Sequence, residues 1–316
     1  MNIKLALVLF SMAILSCSSK APQKNIELTP LKGFELIPTG RACEQSYPLT
    51  DKESVLQICK SQIYEFDLLR KKERRITYQD GQIFQVMPEQ SGEFLYVSNT
   101  DEIKEHFLTP DLDPSTTAGD IYKSAKSHTE IHRLTRRHGF DGFIIKSKLP
   151  NQIYYLQAEH QKSRLMTFNL INQKSNQIFE ISEKVIQITG FSEQNIFYFI
   201  TQTGDQYRLE KRTNNTQTTE KSFSKDTQNP LLFSSQKYGL IGTLEPDAKS
   251  KKTRIEIKSM NSDCRWVLEE IDAVPTHVYL TDEGTLTLWL TANGILYKKI
   301  LNETDSACLS QQKAAK

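Results

Sequence analysis

Charge of one sign is the first thing this 316-residue chain lacks: 40 Lys and Arg stand against 38 Asp and Glu, a formal +2. So balanced a surface carries no polyanion footprint, and no nucleic-acid partner is expected. Long apolar runs are missing too. Only residues 5–15 are apolar enough to meet lipid, and that run is shorter than the ~20 residues a spanning helix needs. Gly-x-Ser-x-Gly, the Walker loop, Gly-x-Gly-x-x-Gly and His-Glu-x-x-His are all absent, which removes the commonest hydrolase, nucleotide and zinc-protease sites. The five cysteines never stand as Cys-x-x-Cys, so a zinc ribbon or redox pair is excluded. Helical signatures are scarce. Thr50-Asp51-Lys52-Glu53 before Val55, Leu56 and Ile58 reads either as a capping box or as an edge strand. Hydrophobic residues at 38%, charged at 25% and aromatic at 9% exclude a disordered chain and leave enough material for a core. The length fits one large all-β domain or two ordinary ones.

The N-terminus carries an address. Met1-Asn2-Ile3-Lys4, the apolar run Leu5 to Leu15 and the small residues Ser16-Cys17-Ser18-Ser19 form a secretory signal over residues 1–16. Ile14-Leu15-Ser16-Cys17 resembles the lipobox of bacterial lipoproteins. The resemblance implies cleavage between Ser16 and Cys17, acylation of Cys17, and a lipidated tether over residues 17–25. Two or three acyl chains anchor stably, since each buried methylene contributes about 0.8 kcal/mol. Ser18 after the cysteine implies, by the same resemblance, an outer-membrane location, on the periplasmic face or the cell surface.

Four cysteines remain: Cys43, Cys59, Cys264 and Cys308. An even number in an oxidising compartment favours disulfides. Three connectivities are open. The local one joins Cys43 to Cys59 and Cys264 to Cys308; the others join the two ends of the chain.

Internal periodicity then organises the chain. Five β-rich runs, 93–98, 152–157, 195–200, 238–243 and 286–291, begin 59, 43, 43 and 48 residues apart. The long first interval holds a polar insertion at 108–114. Such periods suit four-stranded antiparallel propeller blades. The first unit reads as strands at 63–68, 75–77, 83–87 and 93–98, with Asp80-Gly81 and residues 88–92 as turns. Arg75-Ile76-Thr77, the Gly81 turn, Met87, Pro88 to Gly92 and Phe94-Leu95-Tyr96-Val97-Ser98 resemble the repeat of TolB-type, WD40-like propellers. Met87 stands where that repeat has Trp, and the turn is one residue longer. The second unit keeps Arg133-Leu134-Thr135 but lacks the Pro-Asp-Gly turn; later units match in strand rhythm.

The resemblance is clearest over residues 61–157 and implies an all-β propeller over 26–305, followed by a tail at 306–316. Six blades are expected, with five and seven as alternatives. Ile295 to Leu301 is the natural C-terminal partner for a closing N-terminal strand. TolB carries a further α/β domain before its propeller; the residues before 61 are too few for it, so that domain's role does not transfer.

No catalytic set and no cofactor are expected. His128 and His132 on a strand would lie about 13 Å apart. With His138, His106 and His160 they make no metal site, and Asp111, Asp113 and Asp120 lack the order of a calcium loop. The basic runs at 70–75 and 249–252 read as solvated turns or as contacts to anionic headgroups. Phe94, Tyr96, Tyr154, Tyr155, Phe197, Tyr198, Phe199 and Trp289 are expected to fill the space between blades. The function implied is a non-enzymatic protein-interaction scaffold in the cell envelope, held to the membrane through Cys17 and facing an envelope protein through loops such as 106–119 and 244–253. The alternatives are a binding protein for a small glycan or peptide in the channel and a metal-dependent propeller enzyme.

Overall fold

A computed structural model describes residues 30–302, except 50–52, 90–91, 102–117, 126–129, 137–138, 160–161, 192–193, 214–215, 261–263 and 283–284. The signal segment, Ser16, Cys17, the tether, Cys308 and the insertion at 108–114 lie outside the described residues. So do His106, His128, His138 and His160.

Every named element is a β-strand, and the strands form six four-stranded antiparallel sheets. The first strand, β1 (Glu35–Ile37), is placed last in the ring. Blade 1 holds β2 (Gln45–Leu49), β3 (Ser54–Cys59), β4 (Gln62–Asp67) and β5 (Lys72–Arg75). Blade 2 holds β6 (Ile83–Pro88), β7 (Phe94–Ser98), β8 (Asp120–Ser124) and β9 (Ile131–Arg133). Blade 3 holds β10 (Phe140–Lys146), β11 (Gln152–Glu159), β12 (Lys162–Asn169) and β13 (Lys174–Ile181). Blade 4 holds β14 (Lys184–Phe191), β15 (Ile196–Thr203), β16 (Gln206–Arg212) and β17 (Gln217–Ser222). Blade 5 holds β18 (Leu231–Ser235), β19 (Leu240–Pro246), β20 (Thr253–Ser259) and β21 (Arg265–Ile271). Blade 6 holds β22 (Pro275–Thr281), β23 (Thr287–Ala292) and β24 (Ile295–Ile300), and β1 completes it by pairing with β24.

The period read from the sequence is right and its phase is not. Strands 63–68 and 83–87 belong to different blades: the first is β4 of blade 1, the second β6 of blade 2. The apolar run Phe94–Ser98 is the second strand of its blade and not the fourth. A repeat fixes spacing, whereas the blade boundary falls where pairing stops, here between β5 and β6. Residues 54–59, read as a capping box or an edge strand, are β3, paired on both sides by β2 and β4.

The second strands explain why the repeat was visible. In β7, Phe94 and Tyr96 face blade 1 while Leu95 and Val97 face blade 3. In β15, Phe197 and Phe199 face blade 3 while Tyr198 and Ile200 face blade 5. Both faces are buried, so these strands read as continuous apolar runs instead of alternating ones. Outer strands read as polar: all four residues of β5 are exposed. The expected aromatic residues are buried, with Trp289 half-buried.

The Arg-x-Thr phrase has a local cause. Ile63 N–H donates to Thr77 Oγ1 at 2.8 Å and Ile121 N–H to Thr135 Oγ1 at 2.9 Å. Arg75 Nε donates to the Thr77 carbonyl at 2.7 Å and Arg133 Nε to that of Thr135 at 3.0 Å. The same corner thus ends the first two blades, tying the chain that leaves the outer strand back to the third strand.

Cys43 and Cys59 are disulfide-bonded, with Cα atoms 4.3 Å apart. Cys264 is also disulfide-bonded. Cys43 lies on the link from blade 6 to blade 1, where its N–H donates to Gly294 O at 3.2 Å. The bond therefore braces the ring's closure although its loop is short. A loop with a sequence separation of 16 corresponds to about 3 kcal/mol of stability. The variant Cys43→Ser with Cys59→Ser is expected to lower the unfolding free energy by about that amount in a urea titration. An unchanged midpoint would show that the bond does not brace the ring.

Candidate functional site: the central channel

The six first strands, β2, β6, β10, β14, β18 and β22, line a central channel of about 1050 Å³. Their residues meet start to start and end to end, so they run in one direction. We call the face where they begin the upper face and the face where they end the lower face.

Each first strand is the inner edge of its sheet and would leave unpaired backbone groups in a half-buried wall. Side-chain amides from the adjacent blade supply partners. Gln85 accepts from Ile144 N–H at 2.7 Å and donates to Ile144 O at 3.2 Å. Gln187 makes the same pair with Leu232, at 2.7 and 3.1 Å. Gln45 donates to Phe84 O at 2.9 Å and accepts from the Tyr47 hydroxyl. Gln236 reaches Lys146 O at 3.2 Å and Gly190 O at 3.4 Å, linking blades 3, 4 and 5 at the lower face.

Between blades 6 and 1 the wall carries the one histidine among the described channel residues, His277. Ser46 N–H donates to its Nδ1 at 3.5 Å, and Tyr47 lies 4.4 Å from it between ring centroids. Tyr279 stacks on His277 at 6.5 Å. Burial pushes His277 down to about 3, so the ring is neutral across the physiological range. Burial raises the Tyr47 phenol, which stays protonated. Across the channel Phe84, Phe140 and Phe143 meet edge to face. Phe143 sits at φ 52°, a left-handed conformation that strains an aromatic residue, within a bulge in the β10–β11 register. At the lower mouth burial lifts Glu89 above the ordinary carboxylate range; Lys146 and Lys123 oppose this and Glu93 adds to it. Asp282 accepts from the Ser235 hydroxyl at 2.6 Å.

Of the histidines and aspartates considered as ligands, only His132 and Asp120 are among the described residues, and neither lines the channel. His132 is exposed on outer strand β9, 3.9 Å from Glu130. Asp120 is buried and held by Arg133 at 2.5 Å and the Thr135 hydroxyl at 2.9 Å, so it serves the blade corner. Among the described residues no group of three His, Cys, Asp or Glu could hold a metal ion. Arg74 pairs with Glu65 at 2.6 Å and Lys249 with Asp226 at 2.9 Å. His277 stands alone in the sequence, far from the clustered histidines at 128, 132 and 138, and carries no spacing that marks a site. Its signal is the alternation Thr276-His277-Val278-Tyr279 opening the last blade.

No family model matches the chain, and no curated protein matches its sequence. Its fold is similar to that of several solved structures. The putative TolB of Agrobacterium tumefaciens is 9% identical and matches 75% of this chain and 87% of its own, at a TM-score of 0.56. A chain of the nidogen/laminin complex is 11% identical over 73% of this chain and 82% of its own, at 0.52. An oligogalacturonate lyase in complex with manganese is 11% identical over 86% and 77%, at 0.51. At such identities the likeness is one of fold. The chain has a six-bladed β-propeller fold similar to that of TolB.

The neutral His277 makes stability depend on pH in a defined window. Unfolded, the imidazole titrates near 6.5; folded, it titrates near 3. Between these values only the unfolded chain binds the proton, so stability falls as pH falls, by at most about 1.4 kcal/mol per unit. In His277→Gln the slope of stability against pH between 6 and about 3 is expected to flatten. A slope equal to the parent's would mean that a solvated, chargeable ring stands at 277.

Proposed function

We propose that this chain is a bacterial lipoprotein, anchored in the cell envelope through Cys17, whose propeller is a non-enzymatic scaffold for another envelope protein. The observation that carries the reading is the use of the channel's polar side chains. Gln45, Gln85, Gln187 and Asp282 are each engaged in joining one blade to another, and among the described residues no group of three His, Cys, Asp or Glu could hold a metal ion. A wall so committed holds a ring together; it leaves the faces for recognition. β19 ends and β20 begins at the upper face, so the projecting turn at 247–252 lies there; β7 also ends and β8 begins at that face, while residues 102–117 between them lie outside the described residues. The nidogen/laminin neighbour was solved as a protein–protein complex, and the TolB-like fold supports the same use here. The lipobox-like Ile14-Leu15-Ser16-Cys17 supports the anchor and an outer-membrane location.

A second reading is a small glycan or peptide bound in the channel. Its support is the aromatic wall formed by Tyr47, Tyr279, Phe84, Phe140 and the strained Phe143.

Two measurements test the proposal. Metabolic labelling with an alkyne fatty acid is expected to mark the chain and to lose the mark in Cys17→Ser; equal labelling of both would remove the anchor. The anchored chain, used as bait in a detergent extract of its own envelope, is expected to recover one protein reproducibly. Loss of that recovery on substituting the β19–β20 turn at 247–252 would place the contact on the upper face. A folded, monomeric bait that retains no protein would favour the channel reading.

A further inference from the structure

Both faces of the ring expose apolar side chains, Tyr78 at 76% and Val274 at 41% on the upper one, and the lower face carries the larger share. The lower face collects the turns between first and second strands, those between third and fourth strands, and residues 30–34 leading into β1. Three turn tips there carry large apolar side chains far into solvent: Leu69 at 74% exposure, Leu149 at 60% and Ile171 at 74%. Leu149 and Ile171 tip the two turns of blade 3, and Leu69 tips the β4–β5 turn of blade 1. Each apolar tip stands beside exposed cations. Arg70 and Lys71 follow Leu69; Lys146 and Lys148 precede Leu149; Lys174 follows Ile171. Lys237 adds an exposed cation on blade 5. The exposed acids of the described lower turns are Glu53 and Glu130. Single exposed apolar residues are ordinary. Apolar tips paired with cations on one flat face match a surface of different chemistry, anionic headgroups above acyl chains.

The chain's path gives a second, independent pointer. β1 runs from the lower to the upper face, because it is antiparallel to β24, so Pro30 and Leu31 stand at the lower face. A tether running back from residue 30 to Cys17 therefore reaches the ring on the side that carries these tips.

We propose that the lower face seats directly on an anionic bilayer, with Leu69, Leu149 and Ile171 entering the headgroup boundary and the neighbouring Lys and Arg meeting lipid phosphates. The inference relies on the lipid-anchor reading only for which way the ring hangs; the face binds lipid with or without Cys17. Seated this way, the propeller turns its upper face, with the β19–β20 turn, away from the membrane and toward a partner.

The test uses residues 26–316, which hold every strand of the ring and lack Cys17, so its outcome is separate from that of fatty-acid labelling. This form is expected to co-sediment with vesicles of phosphatidylethanolamine and phosphatidylglycerol, to release as salt rises, and to leave phosphatidylcholine vesicles unbound. Each Lys or Arg at an anionic surface raises partitioning about fivefold. Lys146→Glu with Lys148→Glu and Lys174→Glu removes three such cations and is thus expected to lower it by about a hundredfold or more. Unchanged circular dichroism would confirm that those variants remain folded. Leu149→Trp and Ile171→Trp are expected to shift to shorter emission wavelength on adding anionic vesicles. Val274→Trp, exposed on the upper face, is expected not to shift. Absence of binding to the anionic vesicles, or a shift at 274 with none at 149 and 171, would overturn the proposal.

Discussion

Everything in this structure depends on a pairing of three residues with three: Glu35, Leu36 and Ile37 of β1 against Lys298, Tyr297 and Leu296 of β24. Without it the ring would be an open arc with an unpaired third strand at its end, and an unpaired edge is a template for another chain. The joint it closes is also the least apolar. The other five inter-blade joints each have a substantial buried cluster, whereas blade 6 meets blade 1 through Ile37, Val55 and Leu296 with Leu68 and Trp289 half-buried around them. Other interactions gather at this seam. The Cys43–Cys59 disulfide lies across it, Lys298 pairs with Glu35 at 3.1 Å, the Thr276 hydroxyl donates to Glu44 O at 2.7 Å, and His277 accepts from Ser46. Covalent and polar contacts stand where the hydrophobic contribution is thin.

How much of this was legible depended on burial. Second strands are buried on both faces, so Phe94–Ser98, Gln152–Glu159 and Ile196–Thr203 announced themselves and set the period. Outer strands such as Lys72–Arg75 and Gln217–Ser222 are polar and look like loops until a sheet is there to pair with them. The blade boundary is hidden for the same reason: the visible apolar strand is the second of its unit, and the polar outer strand that ends the unit gives no signal. The closing strand was anticipated on its C-terminal side, at residues 295–301, because Ile295, Leu296 and Tyr297 form a buried apolar run. β1 is only three residues long and leaves no periodic signal. The channel was not legible at all. Gln45, Gln85 and Gln187 are ordinary glutamines in sequence and become joints only when an adjacent blade brings a bare backbone edge within reach.

The arrangement divides the molecule by chemistry. The channel wall is held by amides and aromatic rings, and its one described histidine is kept neutral by burial. The upper face carries the basic β19–β20 turn, with Lys249, Lys251 and Lys252. The lower face carries the start of the ring, the basic turns of blades 1 and 3 and the apolar tips Leu69, Leu149 and Ile171.

β1–β24 pairing makes six blades one cooperative body. Leu36→Pro removes a main-chain donor from β1 while leaving the other five joints untouched. Native-state hydrogen exchange on this variant is expected to show lost protection in blades 1 and 6 together, with a monomer turning to dimers or larger species through the bared β24 edge. A monomeric variant with protection in blades 1 and 6 equal to the parent's would contradict the account, and the ring would owe its closure to the disulfide and the side-chain joints instead.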